Sequence, residues 1–250
     1  MELIRLTDGD YSQYEELLLK RDEAEKQADH MFMEYTRIFG DITTEIFKLK
    51  VECIAIKKSI SYIVMIKNRG EELDPRKLAE YIEERMAVYQ AELDEMIRTN
   101  EESKKGVQIS AYQEKEIKRV YRKLAKLLHP DLSNLTERHP ELAEIFQRIM
   151  IAYKCNNYKE IKELEFLVSK ALDDLGEERL EVVIPNIEEK IKELEDEIKG
   201  IITSEPYIYY QYINDREKQE AKMLEFQEEK ETYIKYKEEL KKNLKDIQEN

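Results

Sequence analysis

A heptad-like spacing of apolar residues between positions 42 and 63 constrains the fold more than any other feature of the chain. The apolar residues follow one another at alternating steps of four and three: Ile42, Ile46, Leu49, Cys53, Ile56, Ile60 and Ile63. Such a spacing is the a/d seam of a coiled coil, in which one side of a helix packs along a partner helix. Only six glycines and five prolines interrupt 250 residues. The sequence therefore predicts an all-α protein with long helices.

Helix breakers and caps organise the first part of the chain, residues 1–105. We predict three long helices here, with the first ending at Gly40. The third begins at Asp74 and Pro75, which suit the N-cap and the first turn. Because short turns between long helices favour antiparallel neighbours, this segment is predicted to be an antiparallel coiled-coil arm.

Two further segments complete the predicted organisation. Residues 106–175 have a rhythm of shorter helices and form the second predicted domain. Residues 176–250 return to long-helix spacing after Pro185, and we predict a helical hairpin or coiled coil for them. The expected architecture is thus a small helical domain flanked by long-helix antiparallel coiled-coil arms.

Charge and composition exclude several functional classes. A net charge of −14 disfavours a nucleic-acid partner, since phosphate binding depends on positive charge. Cys53 and Cys155 form no metal-binding pair, and there is no glycine-rich phosphate loop or nucleophile motif, so we expect no metal, no cofactor and no catalytic residues. The longest apolar run, Tyr62 to Ile66, is too short to cross a bilayer. Without a membrane segment or signal peptide, we expect a cytoplasmic location.

One helix in the middle segment carries a marked charge asymmetry. Ser110 followed by Gln113 fits a capping box and predicts the helix start. Between Glu114 and Leu128 there are six basic residues and two acidic ones. The basic residues share one face: Lys115, Lys118, Arg119, Arg122, Lys123 and Lys126. A basic face on an acidic protein suits a negatively charged protein surface.

The tripeptide His129-Pro130-Asp131 follows this basic helix directly. Pro130 cannot continue the helix and biases His129 away from helical geometry, so we predict an exposed turn. Pro140 then suits the first turn of another apolar helix. Two helices joined by the loop between Leu128 and Pro140 would display the tripeptide at one tip of the pair.

From Glu116 to Asp131, and again from Phe146 to Tyr153, the sequence resembles the J-domain family of co-chaperones, typified by DnaJ. The resemblance covers about a quarter of the chain. It implies that the turn and the basic face dock onto a DnaK-type chaperone of the seventy-kilodalton heat-shock class and accelerate its ATP hydrolysis. The docking residues that it implies are His129, Pro130, Asp131, Lys118, Arg119, Arg122, Lys123 and Lys126. The core residues that it implies are Ile117, Tyr121, Leu124, Leu128, Phe146, Ile149, Ala152 and Tyr153.

Three departures from the family pattern accompany this resemblance. The family's first helix carries a Tyr-x-x-Leu-Gly pattern, which is absent between Glu101 and Ser110, and we expect the long helix that begins at Asp74 to substitute for it. Leu128 stands where the family usually has an aromatic residue. Leu132 stands where a basic residue is frequent.

Two hypotheses about function follow from these residues. In the first, the chain is a non-enzymatic co-chaperone whose coiled-coil arms hold a client or partner protein of unknown identity. In the second, it is a helical scaffold or assembly protein whose J-like domain no longer couples to a chaperone. An enzyme acting through His129 is a distant third. The long seams could pair within one chain or with a second copy, which would make a homo-oligomer.

Overall fold

The computed structural model describes residues 8–105, 109–175, 184 and 186–249, which form α-helices joined by short turns. The helices are α1 (Asp8–Asn68), α2 (Pro75–Lys104), α3 (Ala111–Leu128), α4 (Leu135–Arg138), α5 (Pro140–Lys154), α6 (Tyr158–Leu175), α7 (Ile187–Thr203), α8 (Tyr210–Ile213) and α9 (Arg216–Glu249), with a 3-10 turn at Tyr207–Tyr209. These described residues contain no strand, and the prediction of an all-α fold with long helices is confirmed. Among these residues, no helix contains an apolar segment that could span a bilayer.

Helix α1 runs without interruption through Gly40, where the sequence predicts a helix end. Gly40 is buried, and a Cβ atom at this position would overlap the side chain of Asn100 in α2. The glycine therefore permits close approach of two helices and does not terminate one. The described part of residues 1–105 accordingly contains two long helices, and the prediction of three is wrong.

Contacts between Cα atoms divide the described residues into two compact units, to both of which α1 contributes. The first unit contains described residues up to 31 and from 109 to 208, and the second contains 32–105 and 209–249. This division differs from the three consecutive predicted segments because α1 is continuous and because α7 and α9 belong to different units. The predicted C-terminal hairpin is therefore not one of the units. Pro185, which we expected to begin it, lies outside the described residues.

In the second unit, α1 and α2 pack in the antiparallel arrangement that the sequence predicts. Near the start of the part of α1 that belongs to this unit, the Asp41 carboxylate pairs with Lys104 at 2.5 Å. Near its end, the ring of Tyr62 lies 4.8 Å from that of Tyr81. Residues later in α1 thus contact residues earlier in α2, which is the antiparallel order that a short connection between two helices requires.

Helix α9, in contrast, runs parallel to α1 within this unit. Glu45 pairs with Lys230, and seven residues further along both helices Glu52 pairs with Lys237 at 2.5 Å. The expectation of antiparallel arms does not extend to this pair, because no short turn joins the two helices. Lys230 and Lys237 of α9 thus form ion pairs with glutamates of α1 along this contact.

The first unit is built around two apolar clusters. In one cluster, α3, α5 and α6 pack against one another, and Leu19 of α1 contributes to the same cluster. The second cluster, called here the turn cluster, joins α1 and α7 around Leu132. Its buried members are Tyr14, Leu17, Leu18, Leu132, Ile184, Ile187, Ile191 and Leu194. The three consecutive leucines of α1 therefore serve both clusters.

Candidate docking site

The basic helix α3 begins and ends as the sequence predicts. The backbone N–H of Gln113 donates to the Ser110 hydroxyl at 3.2 Å, and the Gln113 side chain accepts from the Ser110 N–H at 2.9 Å. This reciprocal capping box satisfies two amides that a helix start otherwise leaves unpaired. The helix ends at Leu128, immediately before the turn that contains Pro130.

The eight predicted core residues all lie in one buried cluster. They are Ile117, Tyr121, Leu124, Leu128, Phe146, Ile149, Ala152 and Tyr153. The rings of Tyr121 and Tyr153 stack with centroids 3.8 Å apart and an interplanar angle of 8°. Leu128, at the position that is usually aromatic in the family, is fully buried in the same cluster. A branched aliphatic side chain therefore fills this position without leaving it open to solvent.

The five cations of the predicted docking surface, called here the basic face, lie on the solvent side of α3. They are Lys118, Arg119, Arg122, Lys123 and Lys126. Four of them form ion pairs yet keep between 44% and 54% of their side-chain surface exposed. Among the described residues, Arg122 forms no ion pair and is exposed. The surface therefore remains accessible, with part of its charge already compensated.

The partners of these cations come from both sides of α3 and from α3 itself. Lys123 pairs with Glu165 of α6 at 3.2 Å, and Arg119 pairs with Glu116 of its own helix at 3.0 Å. The remaining two pair with α1, as described below. Because such exposed pairs are weak, each cation remains able to exchange its partner.

The tripeptide His129-Pro130-Asp131, called here the docking turn, is only partly exposed. Pro130 is exposed, and the Asp131 side chain keeps 48% of its surface. His129, in contrast, is 5% exposed and packs edge-on against Phe146 with ring centroids 5.6 Å apart. The prediction of an exposed turn is therefore wrong for His129. Phe146 of α5 belongs to the apolar core, and its contact with the His129 ring extends that core to the end of α3.

His129 has a defined structural role inside the turn. Its Nδ1 atom accepts the backbone N–H of Asp131 at 3.1 Å. Burial lowers the pKa of His129, although the nearby Asp131 carboxylate acts in the opposite direction. The ring is therefore neutral at neutral pH, with Nδ1 unprotonated and available as an acceptor. His129 thus orients the aspartate from inside the turn.

Comparison with known families agrees with this geometry. Residues 106–163 match the family model described as the DnaJ domain. The chain contains a J domain. A search of curated proteins and a search of solved structures each found no significant match. The J domain supports a co-chaperone role in general and implies a partner of the seventy-kilodalton heat-shock class.

Helix α1 packs along the J domain, although the family match does not include it. Glu15 pairs with Lys126, and Glu23 pairs with Lys118 at 3.0 Å, so α1 and α3 run antiparallel. We expected α2 to substitute for the family's first helix. In the structure the helix that packs on α3 is instead α1, whose Leu19 joins the J-domain core.

Two acidic side chains of α1 also bind the J-domain tyrosines. Tyr121 donates to Asp22 at 2.6 Å, and Tyr153 donates to Glu23 at 2.7 Å. Burial, followed by these carboxylates, raises the pKa of both tyrosines, so their hydroxyls remain donors. Sequence reasoning missed these α1 residues. The run from Leu17 to Leu19 was an available signal, since three consecutive leucines cannot all lie on one helix face.

The described residues offer no alternative site for metal chemistry. Among them, no three His, Cys, Asp or Glu side chains are grouped closely enough to hold a metal ion. Cys53 is a buried free thiol and Cys155 an exposed one.

Proposed function

We propose that this protein is a co-chaperone that docks on a DnaK-type chaperone through the docking turn and the basic face and stimulates its ATP hydrolysis. The observation that carries the proposal is the exposure of Pro130 and Asp131 at the end of an accessible basic helix. An exposed carboxylate can accept a bidentate pair from a partner arginine. The cations beside it attract an acidic groove and orient the encounter.

The proposed role is that of a non-enzymatic stimulator. His129, the histidine of the docking turn, is buried, and its Nδ1 atom is engaged by the Asp131 amide. It is therefore unsuited to exchange protons with a bound substrate. The reaction would take place in the partner chaperone, with this protein altering its conformation.

The helices of the second unit are the proposed client-binding or partner-binding part. Val88 of α2 is 75% exposed and Leu224 of α9 is 57% exposed, so apolar side chains are available to another protein. Pairing with a second copy of the chain belongs to the same proposal. We further propose a cytoplasmic location, where a DnaK-type partner has access to ATP.

A helical scaffold without chaperone coupling is the second candidate. The ion pairs between α1 and the basic face favour it, because Lys118 and Lys126 already have acidic partners within the chain. The remaining exposure of these cations and of Asp131 favours coupling instead. An activity measurement distinguishes the two candidates.

The direct test is single-turnover ATP hydrolysis by the host's DnaK-type chaperone in the presence of the full chain. We expect acceleration by the wild type and its loss in Asp131→Asn, which removes the charge with little change in shape. Asp173→Asn, at an exposed position of α6 in the same unit, is the matched control and should behave as the wild type. No acceleration, or equal acceleration by the Asp131 variant, would favour the scaffold.

A further inference from the structure

The residue after the docking turn leads the chain back into the protein interior. Leu132 is 0% exposed and belongs to the turn cluster, which α1 and α7 form around it. The family frequently has a basic residue at this position. A charge would be costly in such surroundings, whereas a leucine gains from burial. The docking turn is therefore joined to helices that lie outside the J-domain match at 106–163.

A polar contact from α1 reinforces this attachment. The hydroxyl of Tyr11 donates to the backbone carbonyl of Leu132 at 3.0 Å. Tyr14, one helical turn further along α1, is a buried member of the turn cluster that contains Leu132. Burial raises the pKa of Tyr14, and the Asp131 carboxylate raises it further. Apolar packing and a hydrogen bond thus fix the same end of the turn.

The exposed part of the docking turn is therefore held between two buried anchors. At one end, His129 packs against Phe146 in the J-domain core. At the other end, Leu132 lies in the turn cluster, and its N–H donates to the His129 carbonyl at 2.9 Å. Only Pro130 and Asp131 lie between them. Fixing both ends restricts the conformations of the free turn. The turn therefore loses less conformational entropy when a partner binds it.

We propose that α1 and α7 hold the docking turn in the conformation that binds the chaperone, with Tyr11 and Leu132 as positioning residues for Asp131. This inference rests on the proposed co-chaperone function. The J domain supplies one anchor of the turn, and the helices outside the family match supply the other. Tyr11 acts through the Leu132 carbonyl and Leu132 through its burial, so neither has to touch the chaperone.

The test measures the dependence of stimulated ATP hydrolysis on the concentration of the full chain. For Tyr11→Phe, which removes one hydroxyl, we expect the half-maximal concentration to rise about three- to tenfold, as for the loss of one hydrogen bond. The maximal rate at saturation should stay unchanged, because a bound turn is ordered by the chaperone itself. Tyr207→Phe is the matched control, since Tyr207 donates to Gln27 at 3.0 Å in the same unit.

A second pair of variants addresses the apolar anchor. Leu132→Ala should raise the half-maximal concentration more than Tyr11→Phe, and Leu132→Met, which keeps the volume, should restore most of the loss. Acceleration by the wild type with no difference between Tyr11→Phe and Tyr207→Phe would overturn this inference and leave the proposed function standing. So would equal behaviour of the two Leu132 variants. Absence of acceleration by the wild type would overturn the proposed function itself.

Discussion

The Tyr121 hydroxyl of α3 donates a 2.6 Å hydrogen bond to the Asp22 carboxylate of α1, and both side chains are buried. The other Asp22 oxygen accepts from Arg21 at 3.0 Å. The carboxylate is thus satisfied from two sides, as a buried charge requires. This bond ties the J domain to a helix whose sequence lies 99 positions away.

Removing that hydroxyl should destabilise the first unit. In Tyr121→Phe one oxygen of a buried carboxylate loses its donor, and we expect a loss of about 1–3 kcal/mol in the free energy of unfolding. Tyr112→Phe on the same helix is the control, because Tyr112 is 67% exposed. Urea denaturation followed by circular dichroism measures both variants. Equal stability of the two would contradict the role assigned to the bond.

Two helical glycines should respond in opposite directions to alanine. Gly200 of α7 has open space around the position of a Cβ atom, so Gly200→Ala should stabilise by about 0.5–1 kcal/mol through helix propensity. Gly40→Ala would overlap Asn100, whose side-chain amide donates to Asp41 at 2.7 Å. We expect this variant to lower the thermal midpoint. A stabilising Gly40→Ala would mean that α1 and α2 approach less closely than described.

His129 should make stability depend on pH below neutrality. Burial lowers its pKa in the folded chain from the ordinary 6.5, so the unfolded chain takes up the proton first. The resulting stability is fully present above pH 6.5 and is lost as the pH falls toward the lowered value. Urea midpoints between pH 7.5 and about 5.5 should fall for the wild type and less steeply for His129→Gln. The exposed His30→Gln serves as the control and should follow the wild type.

Arg122 should contribute more to chaperone affinity than its paired neighbour Arg119. Arg122 forms no ion pair among the described residues, whereas Arg119 is engaged by Glu116 at 3.0 Å. We expect Arg122→Ala to weaken binding about three- to tenfold at low salt, and Arg119→Ala to weaken it less. Titration calorimetry at two ionic strengths measures the effect, which should shrink as salt screens the exposed charge. Identical losses for both variants would mean that pairing within the chain does not affect docking.

Local sequence rules predicted the elements that depend on neighbouring residues. The Ser110 capping box, the Asp74 cap and the end of α3 before Pro130 all follow from contacts within a few positions. The J-domain core residues between Ile117 and Tyr153, which the family resemblance implies, lie on the apolar faces that amphipathic helices bury. These features depend on residues that are close together in the sequence.

Patterns in the sequence thus predict an all-α protein with a J domain, a basic helix and the docking turn. Tertiary packing carries α1 through Gly40, aligns α9 parallel to it and places α1 along α3. It also decided which part of the docking turn faces solvent, by burying His129 and Leu132. The contact from Tyr11 to Leu132 spans 121 positions. No local periodicity encodes such a pairing, because the pairing depends on which apolar faces meet when the whole chain packs.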